Sequence, residues 1–405
     1  MTTATQTNAA GGDPIAAKLR DVISELKSET VEREIETQLL VSAILAKQNI
    51  LLIGEPGVAK SLLIDLLVER VDAGIFTLLM AKDTPSEQVL GPVSLAALEK
   101  DEFKRITTGK LPESNIGWID EIFKANSTVL NAMLKIINEG KFDNNGHSMK
   151  LDFWTLAGAS NELPGPDRSD LNAFRDRFAV TKLVGHVRTT AGLTEVIDGQ
   201  LARFAGQAVA TNVTNVTADE LRAAQEAVTH INVPNPVKKS MIELRTRAEG
   251  ENLRISVRRM FGGLAMMMAN AWLTDRSDVS AEDLKLFEHV LWSDPEDHPT
   301  AYELTLEYAG QVAKKASKLR GEFEEQQRAL SELQQEMPAD GSVPDSELMG
   351  KVGRVSTILK RIDDRIDSAI EAANDEGHET SDLDQVQANV AAARESVKKL
   401  LGISN

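Results

Sequence analysis

The 405-residue chain contains no cysteine. That single absence excludes disulfides, thiolate zinc sites, iron–sulfur clusters and cysteine nucleophiles. Aromatic residues make up only 4%, so the cores must be built from Leu, Ile, Val and Ala, a composition that favours helices. Long apolar runs are missing as well. The longest nearly uncharged one, Phe261 to Leu273, falls short of the ~20 residues a bilayer crossing needs. The opening stretch has neither the basic nor the apolar region of an export signal; it reads as a disordered tail over residues 1–14, and a cytoplasmic protein is expected. Positive charge is in deficit: Lys+Arg 45 against Asp+Glu 62 gives a net charge of −17. Nucleic acid and anionic membranes are repelled at long range, although a local basic pore is compatible with that balance. What remains is ordinary globular material, 42% apolar and 26% charged, long enough for two or three domains.

The first half alternates helical and strand patterns. Ile15 to Lys47 carries a helical stripe, followed by the short apolar run Ile50–Ile53 closed by Gly54. Further strand-like runs lie at Phe76–Met80, Ile116–Ile119, Phe153–Ala157 and Phe178–Leu183. Strands separated by helices predict a parallel sheet covered on both faces, here an α/β core over 15–190. Beyond about Arg188 the strand signals stop. Helical stripes at Ala218–His230, Pro236–Ala248, Val257–Leu273 and Ala281–Leu291 predict an all-α unit over 191–298, ended by Trp292-Ser293-Asp294-Pro295. From Pro299 onward the period changes to heptads: Val312, Ala316, Leu319, Phe323, Leu330, Leu333 and Met337, then Leu348 to Ala369, then Leu383 to Leu400, the first run ended by Pro338 to Pro344. Alternating steps of three and four keep one seam facing a partner helix, so 299–405 is predicted to be an antiparallel three-helix coil.

Directly after the first strand stands Gly54-Glu55-Pro56-Gly57-Val58-Ala59-Lys60-Ser61, leading into the apolar helix Leu62–Val68. A glycine-rich turn between strand and helix aims backbone N–H groups at an anion, and the helix adds its positive end. Lys60 can reach the β- and γ-phosphates, and the Ser61 hydroxyl can ligate Mg²⁺. Ala59 occupies the place of the pattern's second glycine; it is expected to follow a helical turn. Further on, the strand Ile116–Ile119 ends in Asp120-Glu121. Carboxylates at the carboxyl end of a buried strand lie beside the phosphate loop in such folds; Asp120 suits Mg²⁺, largely through water, and Glu121 suits a general base for the attacking water. A third strand leads into Gly158-Ala159-Ser160-Asn161, where a neutral amide can orient that water. Asn161 is the candidate. The histidines, His147, His186, His230, His289, His298 and His378, have no metal-binding spacing, so no metal besides Mg²⁺ is expected.

These segments in this order resemble the MoxR family of AAA+ ATPases, and within it the RavA-like branch. The resemblance runs from Ile15 to about Asp297 and rests on GEPGVAKS (54–61), TPSEQVLGP (84–92), GKLPESNIGWIDEIFKANSTVLNAMLKIINEGKF (109–142), ASNELP (159–164) and AFRDRF (173–178). It implies a P-loop AAA+ parallel-sheet core, an all-α lid and ATP with Mg²⁺ as ligands. It implies that Arg177, or failing that Arg175, is the arginine finger reaching a neighbour's γ-phosphate, and that Arg258, or Arg259 next to it, is the lid's sensor arginine. Val31-Glu32-Arg33 falls where the family runs backbone near adenine. Ser94–Arg105 fits an insert in the second helix. Glu139–Leu151, with the turn Asn144-Asn145-Gly146, fits a hairpin. Lys104, Arg105, Lys141 and Lys150 could then line a pore or simply be exposed. RavA-like relatives interrupt their helical extension with a small β-rich domain, and here only helices are legible.

The expected function is an ATP-hydrolysing ring, a hexamer by resemblance, that remodels a protein client alongside a separate von Willebrand factor A domain protein. No membrane span is expected. Two alternatives stay open: a nucleic-acid-dependent motor, disfavoured by the charge of −17, and a nucleotide-gated scaffold working through its helical tail.

Overall fold

A computed structural model describes residues 12–164, 169–205, 213–337, 346–375 and 380–401. The tail expected at 1–14 lies outside these up to residue 11, as do the Pro338–Pro344 break and His378. The described chain runs α1 (Pro14–Glu29), α2 (Glu34–Ala46), β1 (Ile50–Ile53), α3 (Lys60–Val68), β2 (Val71–Asp72), β3 (Ile75–Leu79), α4 (Ser86–Leu90), α5 (Leu95–Leu98) and β4 (Ile116–Asp120). It continues with α6 (Ser127–Glu139), β5 (Lys141–Asn144), β6 (His147–Lys150), β7 (Thr155–Ser160), α7 (Ser169–Arg175), β8 (Val180–Leu183), α8 (Thr190–Phe204) and β9 (Val216–Thr217). The rest is helical: α9 (Ala218–Val228), α10 (Asn235–Gly250), α11 (Val257–Leu273), α12 (His298–Tyr308), α13 (Gly310–Glu336), α14 (Ser346–Asp375) and α15 (Ser381–Leu400).

The five apolar runs form one sheet in the order β3-β4-β7-β1-β8, every neighbouring pair parallel. β1 is its interior: Ile50, Leu51, Leu52 and Ile53 are all buried. A fully buried aliphatic side chain contributes about 1.5–3 kcal/mol, which accounts for the lack of polar alternation in this strand. Parallel strands all end at one edge, so the turns after β1, β4 and β7 meet there. One further pairing, β2 with β9, joins the core to the lid, where no strand was expected.

The expected helix 15–47 is two helices. Between them Thr30 is extended and Glu32 takes a left-handed φ of 55°. The Glu32 carboxylate accepts hydrogen bonds from the amides of Arg188 and Thr189, 2.9 Å each; tertiary contacts, not local propensity, break the helix. Helix α8 was not expected either. The lid also extends further than residue 298: α12 packs on α10 and on the 3-10 turn Glu282–His289, and the chain turns only at Gly310, φ 85°. The tail then runs as three mutually packed helices, α13, α14 and α15, around Leu319, Phe323, Val352, Leu359, Ile366 and Val390. Asp382 of α15 ties back to Lys285 of the lid at 3.0 Å.

Candidate nucleotide-binding site

The phosphate loop leaves β1 at Gly54. A Cβ there would meet the Val184 carbonyl oxygen at 2.3 Å, so only glycine lets the loop start against β8. Gly57, φ 85°, has no atom within 4 Å of where a Cβ would stand; the turn opens onto free space, as a cradle for an anion must. Ala59 departs from its expected geometry. It is the left-handed N-cap of α3, φ 65° and ψ 22°, the conformation a glycine takes there, held by an alanine at a cost of about 1–2 kcal/mol.

Five side chains converge at the carboxyl edge of β1, β4 and β7. Lys60 is 7% exposed; its Nζ donates to the carbonyls of Gly54 (2.6 Å) and Glu55 (3.0 Å) and to Asn161 Oδ1 (3.2 Å). Burial lowers the Lys60 pKa, opposed by the charges of Asp120 and Glu121. Asn161 passes the chain on, its Nδ2 donating to Glu121 Oε1. Ser61 Oγ donates to Asp120 Oδ2 at 3.0 Å. Glu121 sits at φ 54°, a left-handed conformation that an unbranched acid holds only when its surroundings impose it; Lys124 Nζ stands 3.4 Å from its Oε2.

The loop is also braced from outside its own motif, a role not expected of Arg33. Arg33, buried at 4%, donates from Nε to the Val58 carbonyl (3.0 Å) and from NH2 to the Gly185 carbonyl (2.6 Å). It thereby ties the phosphate loop to the segment after β8. His186 Nε2 lies 2.8 Å from Glu55 Oε2. A buried arginine spending its donors on carbonyls has no spacing signature.

The two arginine candidates lie elsewhere. Arg177 precedes β8, and the Ala179 amide donates to the Asn49 carbonyl just before β1. Arg177 is therefore at the amino edge of the sheet, while the phosphate loop is at the carboxyl edge, roughly 16 Å of strand away at ~3.3 Å per residue. Arg258 joins it: its NH1 and the NH1 of Arg177 are each 3.5 Å from Asp176 Oδ2. Both line a cleft of about 170 Å³ with Lys47, Gln48 and Asn49. Their neighbours are internal. Arg259 is buried and donates to the Trp292 carbonyl at 3.0 Å; desolvation, then the nearby Arg175 charge, lowers its pKa to about 10. Arg175 is likewise buried, with its pKa lowered by desolvation.

The insert and hairpin are bound together. β5 and β6 pair antiparallel around Asn145 (φ 53°) and Gly146 (φ 74°), and the Asn144 side chain brackets the backbone of Arg105, accepting from its amide (2.7 Å) and donating to its carbonyl (3.0 Å). Arg105 itself donates to the Gly91 carbonyl at 2.8 Å, which makes it a tie within the insert, while Lys104, Lys141 and Lys150 are exposed. His289 and His298, at the two ends of a short connection, come within reach of Glu288. Burial first, then the charge of Lys182, lowers the pKa of both rings; a fixed positive charge beside them opposes a second cation.

Residues 17–226 match the family model described as the MoxR domain in MoxR–vWA–beta-propeller ternary systems. The chain belongs to the MoxR family of AAA+ ATPases. Residues 236–304 of this MoxR chain match an AAA lid domain, in accord with α12 packing on the lid. Among its relatives are two uncharacterized proteins of Methanocaldococcus jannaschii. MJ0079 is 33% identical over 309 residues, 75% of this chain and 78% of that protein. MJ0812 is 30% identical over 365 residues, 87% and 92%. The crystal structure of a candidate ATPase from Cytophaga hutchinsonii superposes with a TM-score of 0.59 at 20% identity, covering 73% of this chain and 95% of that one, a likeness of fold.

Proposed function

We propose that this MoxR chain hydrolyses ATP as one subunit of a ring, with each active site divided between two copies. The observation that carries the reading is the hydrogen-bonded series Lys60–Asn161–Glu121 at the mouth of the phosphate loop. Gly54 to Ser61 would hold the triphosphate, the loop by its N–H groups and Lys60 by its ammonium, released from the carbonyls it now caps. Ser61 Oγ and Asp120 Oδ2 already form a pair of hard oxygen ligands, the donor set Mg²⁺ takes. Bound there, Mg²⁺ would neutralise charge on the β- and γ-oxygens. Glu121 accepts the proton of the attacking water as the bond from the γ-phosphorus to the ADP oxygen breaks, and Asn161 fixes that water's position.

Arg177 and Arg258 cannot serve the site of their own copy from the opposite edge of the sheet. They suit the γ-phosphate of a neighbour, where a cation supplied across an interface is worth about 10³–10⁵ in rate. A hexamer is the ring size the family resemblance implies. A von Willebrand factor A domain protein is the partner suggested by the systems in which the matching domain occurs, and a protein client is the cargo. The tail is helical throughout its described residues, so a RavA-like placement rests on the core alone.

Purified protein tests this directly. Glu121→Gln should bind ATP with near-normal affinity and turn it over at least about 10²-fold more slowly, whereas Lys60→Ala should lose binding. Unchanged turnover in either variant would overturn the reading.

A further inference from the structure

The two halves of the divided site are each flanked by an apolar patch that nothing among the described residues covers. On the nucleotide side stands α8. Its Leu193, Val196, Ile197, Leu201 and Phe204 are 38–85% exposed and fall on one helical stripe, spaced i, i+3, i+4, i+8 and i+11. Among the described residues the helix is anchored at its start, which grows from the rim of the phosphate loop: Arg33 holds Gly185, Glu32 accepts from Thr189, and His186 meets Glu55. On the arginine side stands the first turn of α11. Val257 and Phe261, one helical turn apart, are exposed beside Arg258, and this end is pinned to the sheet because Gly262 packs against Ala179.

We infer that α8 of one copy docks on the Val257–Phe261 face of the next copy, so that the contact joining two subunits also delivers Arg177 and Arg258 to the phosphate. The occupant is a second copy of this chain for a geometric reason. Bringing the amino edge of one sheet to the phosphate loop of another necessarily carries the α11 turn towards the helix that starts at that loop. Charge agrees: exposed Asp198 borders the α8 stripe, and exposed Arg254 and Arg258 border the α11 patch. Apolar patches bordered by charges of opposite sign favour both affinity and orientation.

The inference rests on the ring reading, and the absence of native cysteine makes it separable from it. In full-length protein, Ile197→Cys with Phe261→Cys, treated with a short bis-maleimide in the presence of ATP, should give a ladder of cross-linked multimers about tenfold above either single variant. Assembly is followed in parallel by sedimentation. A protein that assembles but shows no cross-link, or cross-links equally well through Ile197→Cys alone, overturns the docking and leaves the ring; a protein that never assembles with nucleotide overturns the ring itself. Leu201→Asp gives a second reading: nucleotide binding unchanged, with assembly and turnover falling together about tenfold or more. Unchanged assembly in that variant also overturns the docking.

Discussion

At the scale of single residues, most of the informative positions are ones where a side chain holds a backbone conformation it would not choose. Ala59 and Glu121 both sit in the left-handed region within the site. Ala59→Gly should relieve that conformation and stabilise the fold by roughly 0.5–1 kcal/mol once the added chain entropy is subtracted; differential scanning calorimetry reads the shift, and a loss of stability would mean the loop conformation is not strained. The arginines separate by burial. Arg258→Ala removes an exposed side chain and should leave stability within about 0.5 kcal/mol, while turnover falls by about 10³-fold. Arg259, buried against Trp292, should show the reverse, a loss of stability visible in denaturant titrations. The motif residues Lys60, Ser61, Asp120, Glu121 and Asn161 were legible in the sequence because each ends a strand or opens a helix in a recognisable order. The Arg33 brace and the left-handed Ala59 were not, since carbonyl acceptors and backbone angles leave no residue pattern.

Among elements, the tail was the most legible part: heptad steps specify a seam, and α13–α15 pack along it. Leu359→Ala in that seam should cost about 2–5 kcal/mol and give an early thermal transition, with ATP binding by the core retained. Helix α8 was missed because Gly192 and Gly199 lower its helix propensity and, among the described residues, its stripe meets no core; its apolar residues are exposed, so burial does not explain them. The break between α1 and α2 was hidden for a related reason, as the apolar period continues across it and only the Glu32 contacts reveal the turn. In the insert, Asn144→Ala should free Arg105 from the hairpin and accelerate amide exchange there. A buried polar pair of this kind is worth about 1–3 kcal/mol.

For the whole molecule, the joint between sheet, lid and α12 carries a pH dependence. Burial first, then the charge of Lys182, holds His289 well below the ordinary histidine value of 6.5, and His298 is lowered by the same two causes; Glu288, facing them, is raised by burial. Both rings are thus harder to protonate in the fold than in the unfolded chain. Unfolded imidazoles take up protons as pH drops through about 6.5, protons the folded rings refuse, so stability is full above that value and declines below it. Unfolding midpoints should therefore fall between about pH 6.5 and pH 5, less steeply in His289→Gln than in the native protein.

If Arg177 serves a neighbour's phosphate as proposed, placing Lys60 at one edge of the sheet and Arg177 at the other leaves no lone copy with a working centre. A chain carrying Lys60→Ala keeps a sound arginine edge, and one carrying Arg177→Ala keeps a sound phosphate edge. Mixed together, two inert preparations should regain measurable turnover at the junctions where the intact halves meet. In a cell expressing one defective allele beside a healthy one, the same division makes the damage spread to neighbours, so the injury would behave as dominant.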